Sequence, residues 1–192
     1  MTPTSHSPSP LPSPWIERWA HLIAPGGRVL DVAAGSGRHT HWLAARGHRV
    51  TAVDRDAAAM ASLSGIAEVV VADLEAAAWP FAERRFDAVV VTNYLWRPLL
   101  PMLIESLAAG GILLYETFAS GNETVGRPSR PDFLLATGEL LRAAEDLRIV
   151  AYEDGFLASP DRFVQRLAAV REPAGAVARR YPLTPGRPGP GR

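Results

Sequence analysis

The sequence predicts an α/β fold, a doubly wound, Rossmann-like sheet of seven strands that is mostly parallel and has an antiparallel last strand. Strand-like and helix-like segments alternate along most of the 192-residue chain, which is typical of helices packed on a parallel sheet. The first strand leads through a turn with Gly35 and Gly37 directly into a helix. Segment 86–91 is almost continuously apolar, as parallel strands buried on both faces are.

The elements of the first half follow from hydrophobic periodicity and from glycine and proline breaks. An amphipathic helix at 15–23, placed to lie over the glycine turn, stops at Pro25-Gly26-Gly27. The predicted elements that follow are strand 28–33, a helix from Gly37 to Gly47 with Trp42, Leu43 and Ala45 facing the sheet, strand 48–53, helix 57–63, strand 68–72 and a helix or turn at 75–78.

The second half contains the remaining strands and one segment of irregular composition. Segment 116–135 has too many glycines and prolines for a plain helix and too many charges for a buried strand, so we expect a structured loop across the ligand face. Only about ten residues separate the last two strands, which predicts a hairpin and an antiparallel last strand. The predicted elements are strand 86–91, loop 92–97, helix 99–109, strand 112–117, helix 131–147 and strands 148–153 and 163–170.

Composition limits the possible chemistry and partners. The chain has no lysine and no cysteine, which excludes a lysine Schiff base, a cysteine nucleophile, a disulfide and a thiolate metal site. Its 20 basic and 20 acidic residues balance, so no overall field favours nucleic acid or an anionic membrane as a partner. There is neither a bilayer-length apolar run nor a signal-peptide pattern. We therefore expect a cytoplasmic protein.

The chain is long enough for one domain with a substantial core and short for two. Residues 1–14 are rich in proline and serine, and residues 173–192 are rich in proline, glycine and arginine. Neither segment has enough apolar side chains to offset the entropy of ordering it. We expect two disordered tails on either side of a domain at 15–172.

The glycine turn is the predicted ligand site. Gly35 and Gly37 carry no Cβ and can adopt backbone angles closed to other residues, so a ligand can lie against the main chain. Asp31 stands at the carboxyl end of the strand before them, where open α/β sheets bind ligands. A dinucleotide fingerprint needs a third glycine where this chain has Thr40, so the pattern disfavours NAD.

The pattern Asp31-x-x-x-Gly35-x-Gly37 resembles the first motif of the class I S-adenosylmethionine (SAM) dependent methyltransferases. Segment 116–135, with the downstream Thr137-Gly-Glu-Leu-Leu141, resembles the small TehB-like (tellurite-resistance-like) branch of that family. The resemblance covers roughly residues 15–172. It implies SAM as the cofactor and methyl transfer by in-line displacement to a small-molecule nucleophile, whether a thiol, hydroxyl, amine or chalcogen.

The cofactor residues are expected at the turn and at the tips of the next strands. Asp54 ends the second strand, where such folds hydrogen-bond a ribose diol, although it would also serve as a cap for helix 57–63, as would Asp56. In the resembled family an acidic and an apolar residue at the third strand tip hold the adenine; Asp73 could instead be a plain helix cap. The predicted cofactor residues are Asp31, Ala33, Gly35, Gly37, Asp54, Arg55, Asp73, Leu74, Asn93 and Tyr94.

The substrate residues are expected in the loops after the fourth and fifth strands, which lie on the ligand face. Arg127 and Arg130 offer forked donors to an anionic or carbonyl-bearing substrate, or they tie a proline-rich loop to nearby glutamates. Trp96 either contacts substrate or packs in the core, and Glu116 lies near the tip of the fifth strand. The sequence predicts no particular residue as a general base, and it predicts no metal site. His39, near the turn, is expected to pack in the fold or face solvent.

Three alternative functions remain beside small-molecule methyl transfer. A nucleic-acid methyltransferase that flips a base carries two prolines where this chain reads Asn93-Tyr94-Leu95-Trp96. A nicotinamide oxidoreductase would share Asp54 but needs the third glycine. The third alternative is a SAM-binding sensor or partner protein without catalytic activity. Only a turnover assay distinguishes such a protein from an enzyme. The sequence does not predict the oligomeric state.

Overall fold

A computed structural model describes residues 11–175 and 179–185 of the chain. The strands are β1 (Arg28–Val32), β2 (Arg49–Asp54), β3 (Glu68–Val71), β4 (Phe86–Thr92), β5 (Leu107–Phe118), β6 (Arg148–Ala158) and β7 (Asp161–Val170). The α-helices are α1 (Pro14–Trp19), α2 (Arg38–Ala44), α3 (Ala57–Met60), α4 (Leu100–Glu105) and α5 (Glu139–Ala143). Short 3-10 helices occupy 20–22, 61–63, 97–99, 122–124 and 131–133.

The seven strands form one sheet in the order β3-β2-β1-β4-β5-β7-β6. Pairing is parallel from β3 through β5, whereas β7 runs antiparallel to both β5 and β6. The predicted doubly wound sheet with an antiparallel last strand is confirmed. Because the carboxyl ends of parallel strands meet at one edge, the tips of β1 to β5 gather there and position the ligand site.

Two apolar layers cover the sheet. On one face Trp15, Ile16 and Trp19 of α1 pack with Leu43 of α2, and the indole N–H of Trp15 donates to the Leu167 carbonyl at 3.1 Å. The helix thus lies on the sheet, and at its start the Ser13 N–H donates to His39 of α2, two residues after Gly37. On α2, Leu43 is buried and Trp42 half-buried as predicted, but Ala45 is exposed because α2 ends one residue earlier.

The predicted helix at 99–109 is wrong in its second half. The helix α4 ends at Glu105, and β5 begins at Leu107, which pairs with Phe86 of β4. Gly110, with φ +83°, donates its N–H to the Arg171 carbonyl at 2.6 Å. The glycines therefore form an irregularity inside a long strand instead of ending a helix.

The predicted helix at 131–147 is also wrong. Only a 3-10 turn at 131–133 and α5 are helical, and between them Leu135 pairs with Ala119 in an isolated parallel bridge. Gly138 starts α5 in the left-handed region at φ +69°. The apolar residues of this stretch match a helical period, but they fill the end of the core layer on the face opposite α1.

Both predicted tails contribute residues to the fold. Ser13 is buried and caps α1, so the N-terminal tail predicted at 1–14 extends too far. Tyr181 packs beside α1, and His21 Nε2 lies 2.9 Å from the Pro182 carbonyl oxygen. Residues 1–10, 176–178 and 186–192 lie outside the described residues. Within the described parts of the chain, no helix has the length and apolar character needed to cross a membrane.

Candidate functional site

The glycine turn after β1 has the backbone that the sequence predicts. Ala33, Gly35 and Gly37 all have positive φ, at +53°, +55° and +78°. A Cβ on Gly35 would meet nothing within 4 Å, so the main chain is open there, whereas a Cβ on Gly37 would lie 2.3 Å from a Leu63 methyl carbon. Gly37 is therefore required for packing against Leu63, and Gly35 leaves room for a ligand.

Asp54, at the tip of β2, holds this turn. Its Oδ2 accepts the Gly35 N–H at 2.8 Å, and its Oδ1 accepts the Asp56 N–H at 2.9 Å. The cap of α3 is Asp56, whose carboxylate accepts the N–H groups of Ala58 and Ala59. Helix capping thus does not account for Asp54. Each of its oxygens still has a lone pair that can accept a hydroxyl.

A first pocket, of about 170 Å³, opens between the tips of β1, β2 and β3. Asp73 accepts the Glu75 N–H at 3.0 Å with Oδ1, so it stabilises its own turn as well as facing the pocket. The wall combines apolar residues with three acidic residues and one arginine. The lining residues are Ala33, Asp54, Arg55, Ala72, Asp73, Leu74, Glu75 and Tyr94.

A second pocket, of about 280 Å³, lies beyond the tips of β4 and β5. Glu75 and Tyr94 line both pockets, so the two share a wall. The loop after β5 closes the second pocket with Pro128 and Phe133. Its lining residues are Glu75, Asn93, Tyr94, Leu95, Thr117, Phe118, Pro128 and Phe133. Predominantly apolar walls with a few polar groups are typical of small-molecule sites.

Tyr94 is the most constrained side chain of the shared wall. Its hydroxyl is buried and has no hydrogen-bond partner among the described residues, and its carbonyl accepts the Tyr115 hydroxyl at 2.8 Å. Burial, followed by the Glu75 and Asp73 carboxylates, raises the pKa of Tyr94 to about 12. The preceding Asn93 has φ +55°, a strained angle for a residue with a Cβ. In the described part of the chain, the shared wall thus contains one unsatisfied polar group, the Tyr94 hydroxyl.

Asp31 lies behind the turn and does not line either pocket. It is buried, and its Oδ2 accepts the Thr40 hydroxyl at 2.6 Å. Burial raises the pKa of Asp31 to about 6, although the Thr40 hydrogen bonds oppose that rise. Thr40, the residue that replaces the third glycine of a dinucleotide motif, thus joins α2 to the end of β1.

Glu116 lies on the opposite face of the sheet from the pockets. It is fully buried, accepts the Ser13 hydroxyl at 3.0 Å, and pairs with Arg166 at 3.4 Å and Arg162 at 3.7 Å. Beside it His39 is buried and accepts the Ser13 N–H at 3.1 Å. Glu116 is therefore a buried ion-pair partner under α1 and lies apart from the pockets.

The remaining predicted substrate residues lie outside both pockets. Arg130 pairs with Asp132 at 2.8 Å, with both side chains at least 70% exposed, and its guanidinium lies 5.3 Å from the centroid of the Phe133 ring. Arg127 is exposed, and Trp96 is 36% exposed before the 3-10 helix at 97–99. The structure thus assembles the predicted Ala33, Asp54, Arg55, Asp73, Leu74 and Tyr94 around the first pocket, with Asn93 on the second.

Sequence reasoning missed several lining residues of the second pocket. Glu75 carried a signal, since it follows the acidic strand tip at Asp73 by two residues and faces the same edge. The others come from separate loops without a local motif. They are Leu95, Thr117, Phe118, Pro128 and Phe133.

Residues 29–110, which contain the turn and the strand tips around the first pocket, match a family model described as a methyltransferase domain. A comparison with curated proteins gave no match. Among solved structures the chain is similar to TehB from Haemophilus influenzae, with a TM-score of 0.67, 23% identity, and coverage of 80% of this chain and 60% of that one.

Two further structures have the same fold. A TehB-like SAM-dependent methyltransferase from Corynebacterium glutamicum has a TM-score of 0.59 and 21% identity, over 80% of this chain and 86% of that one. The glycopeptide N-methyltransferase MtfA, solved with S-adenosylhomocysteine (SAH), has a TM-score of 0.56 and 20% identity, over 79% of this chain and 86% of that one. At these identities the likeness shows a shared fold, and the chain spans only 60% of the TehB structure.

Proposed function

We propose that this protein, a SAM-dependent methyltransferase of the class I fold similar to TehB, methylates a small-molecule nucleophile held in its second pocket. One observation carries the proposal. The pocket at the tips of β1 to β3 and the apolar pocket at the tips of β4 and β5 adjoin, and Glu75 and Tyr94 form their common wall. Two adjoining sites suit a reaction that brings two small molecules together.

The residues of the first pocket fit the cofactor. Asp54 has free lone pairs for a ribose diol, Asp73 has one carboxylate oxygen free of its own turn, and Leu74 offers an apolar surface to a base. Gly35 leaves the main chain open beside them. When bound, SAM supplies a methyl group already activated by a sulfonium. Carboxylates near such a cation stabilise it electrostatically.

The protein itself aligns the two reacting molecules, surrounds the acceptor with apolar residues and offers hydrogen bonds. Methyl transfer to carbon needs reacting atoms in line and close together, which two pockets with a common wall can provide. The Tyr94 phenol stays protonated at neutral pH because its pKa is about 12, so it acts as a hydrogen-bond donor on that wall. Leu95, Phe118 and Phe133 offer apolar surface to the acceptor.

The first test is calorimetric binding of SAM, SAH and NADH to the purified protein. We expect SAM and SAH to bind and NADH not to bind. Asp54→Ala should weaken the affinity for SAH by about tenfold to a hundredfold, because that is what the loss of hydrogen bonds to a charged acceptor costs. Asp56→Ala is the matched control: it removes the cap of α3, at a cost of about 1 kcal/mol in stability, and should leave SAH affinity unchanged.

Turnover then tests the transfer itself. SAH should accumulate from SAM only when an acceptor is added, and the acceptor should gain one methyl group by mass spectrometry. Binding of NADH alone, or equal loss of SAH affinity in both aspartate variants, would contradict the assignment of the first pocket. Binding of SAM without turnover on any acceptor would instead identify a SAM-binding protein that is not an enzyme.

A further inference from the structure

The second pocket has an unusual charge balance for a site next to an arginine-rich loop. Among the residues that the structure describes, those lining it include one ionised group, the Glu75 carboxylate, and no arginine. Its other polar residues are Asn93, Tyr94 and Thr117. An anion placed here would be desolvated without a cation to pair with, which is unfavourable.

The arginines nearest to this pocket in the chain are engaged elsewhere or exposed. Arg97 makes two hydrogen bonds to the Glu139 carboxylate, at 2.7 and 3.0 Å, and also donates to the carbonyls of Asp132 and Leu134. Arg130 pairs with Asp132 in solvent. Arg55 lines the first pocket but not the second. Arg97 and Arg130 therefore hold the loop through their partners. Neither of them lines the second pocket, nor does the exposed Arg127 beside Pro128, although the Arg130 guanidinium lies 5.3 Å from the centroid of the Phe133 ring at the rim.

The shared wall adds negative charge from the cofactor side. Asp54 and Asp73 line the first pocket together with Glu75. Arg55 is the one cation among the described lining residues, so carboxylates outnumber cations there by three to one. Burial is the main cause of the raised pKa of Tyr94; the Glu75, Asp73 and Asp54 carboxylates add to it by repulsion, and Arg55 opposes it. A thiolate or an oxyanion would experience the same repulsion, whereas an ammonium group would be attracted.

From this charge balance we infer that the methyl acceptor is a small amine with an apolar or aromatic body, bound with its nitrogen against Glu75 and its body among Leu95, Phe118 and Phe133. The inference rests on the proposed function, because it assigns the acceptor of that same site. It excludes tellurium and selenium oxyanions, and it disfavours thiols, whose nucleophilic form is an anion.

The transfer balances for an amine. The ammonium group gives one proton to Glu75, and through it to water, and so exposes a nitrogen lone pair. That lone pair forms the new bond between nitrogen and the methyl carbon. At the same time the bond between this carbon and the sulfonium sulfur of SAM breaks, and its electron pair stays on the sulfur. The positive charge passes from sulfur to nitrogen, and the product leaves as a methylated ammonium ion, which the Glu75 carboxylate can pair with as it paired with the substrate.

Binding of matched probes in the presence of saturating SAH tests the inference without turnover. The probes are 2-phenylethylamine, 2-phenylethanol and phenylacetate, which share a ring and differ in charge, together with tellurite. We expect the amine to bind at least about tenfold more tightly than phenylacetate, the value of one charge-assisted hydrogen bond, with the alcohol between them. Tellurite should not bind.

Two variants assign the preference to the pocket. Glu75→Gln should weaken the amine about tenfold and leave 2-phenylethanol unchanged, because only the charge is removed. Phe133→Ala should weaken all three aromatic probes alike. The control is Glu83→Gln, which removes an exposed carboxylate outside both pockets and should keep the wild-type preference.

Three results would overturn the inference while SAH binding leaves the proposed cofactor site standing. They are binding of phenylacetate or tellurite as tightly as the amine, a preference for the amine that persists in Glu75→Gln, and failure of every probe to bind at millimolar concentration. Failure of SAH itself to bind would overturn the proposed function and, with it, the inference.

Discussion

Glu116 and Thr117 are neighbours on β5, yet they face two different environments at the same edge of the sheet. Glu116 points under α1, where Ser13, Arg162 and Arg166 pair with its carboxylate. Thr117 points to the other face and lines the second pocket. Successive side chains of a strand alternate between faces, so one residue step separates a closed, ion-paired face from an open one.

The closed face and the open face use polar groups differently. On the closed face the carboxylate of Glu116 and the imidazole of His39 are buried and hydrogen-bonded to Ser13. These hydrogen bonds stabilise the folded state. On the open face the Tyr94 hydroxyl is buried but has no partner among the described residues. A polar group that is already paired stabilises the fold, and one held ready for a partner serves binding.

The largest expected effect is that of Glu116→Gln on stability. Removing the buried carboxylate leaves Arg162 without this counter-charge and Arg166 with only the partly exposed Glu153, which costs about 3 kcal/mol of unfolding free energy. SAH affinity should change little, because Glu116 does not line the first pocket. Denaturant unfolding and calorimetry measure the two quantities separately.

A matched control shares the same arginine. Glu153 also pairs with Arg166, but its side chain is 41% exposed, so Glu153→Gln should cost less than about 1 kcal/mol. A Glu116→Gln variant with normal stability and lost SAH affinity would show that Glu116 acts in cofactor binding, and would remove the distinction between the two faces.

A second, intermediate effect is the pH dependence that His39 gives to stability. Burial and the Arg38 guanidinium lower the pKa of His39 to about 3, whereas an unfolded histidine titrates near 6.5. Below pH 6.5 the unfolded chain binds a proton that the folded one does not take up, so unfolding free energy falls on acidification. By pH 5 the loss amounts to about 2 kcal/mol, and His39→Gln should abolish it.

Asp31 contributes with the opposite sign. Its raised pKa, about 6 against 3.8, means that the folded chain binds this proton first as pH falls, so stability rises between pH 6 and 4. The His39→Gln variant isolates the histidine contribution because Asp31 remains present. An unchanged pH dependence in His39→Gln would contradict the buried, neutral histidine.

The first pocket was predictable because its residues belong to short local patterns. Asp54 and Asp73 come at the ends of strands that hydrophobic periodicity locates, and parallel pairing brings such ends to one edge. Asp56 and Thr40 show the limit of this reasoning. Which of two nearby aspartates caps α3, and that Thr40 bonds Asp31, depend on side-chain geometry that no spacing encodes.

The second pocket was not predictable for a physical reason. Its outer wall depends on contacts between distant parts of the chain: Asn122 Nδ2 donates to the Pro128 carbonyl, and Asn122 Oδ1 accepts the Phe163 N–H. The sequence places Glu116 near the tip of β5 but does not predict its face, because one step of strand register decides between the closed and open faces. The helix predicted at 131–147 failed because Leu135 pairs with Ala119 instead.

The smallest expected effect belongs to Arg130, and it tests where the open face ends. Its ion pair with Asp132 is at least 70% exposed, so Arg130→Gln should change unfolding free energy by less than about 0.5 kcal/mol. Binding of SAH and of 2-phenylethylamine should stay within about twofold, since a rim charge outside the pocket adds little affinity. A large loss of phenylacetate or tellurite binding in this variant would extend the open face to the arginine loop and would favour an anionic acceptor.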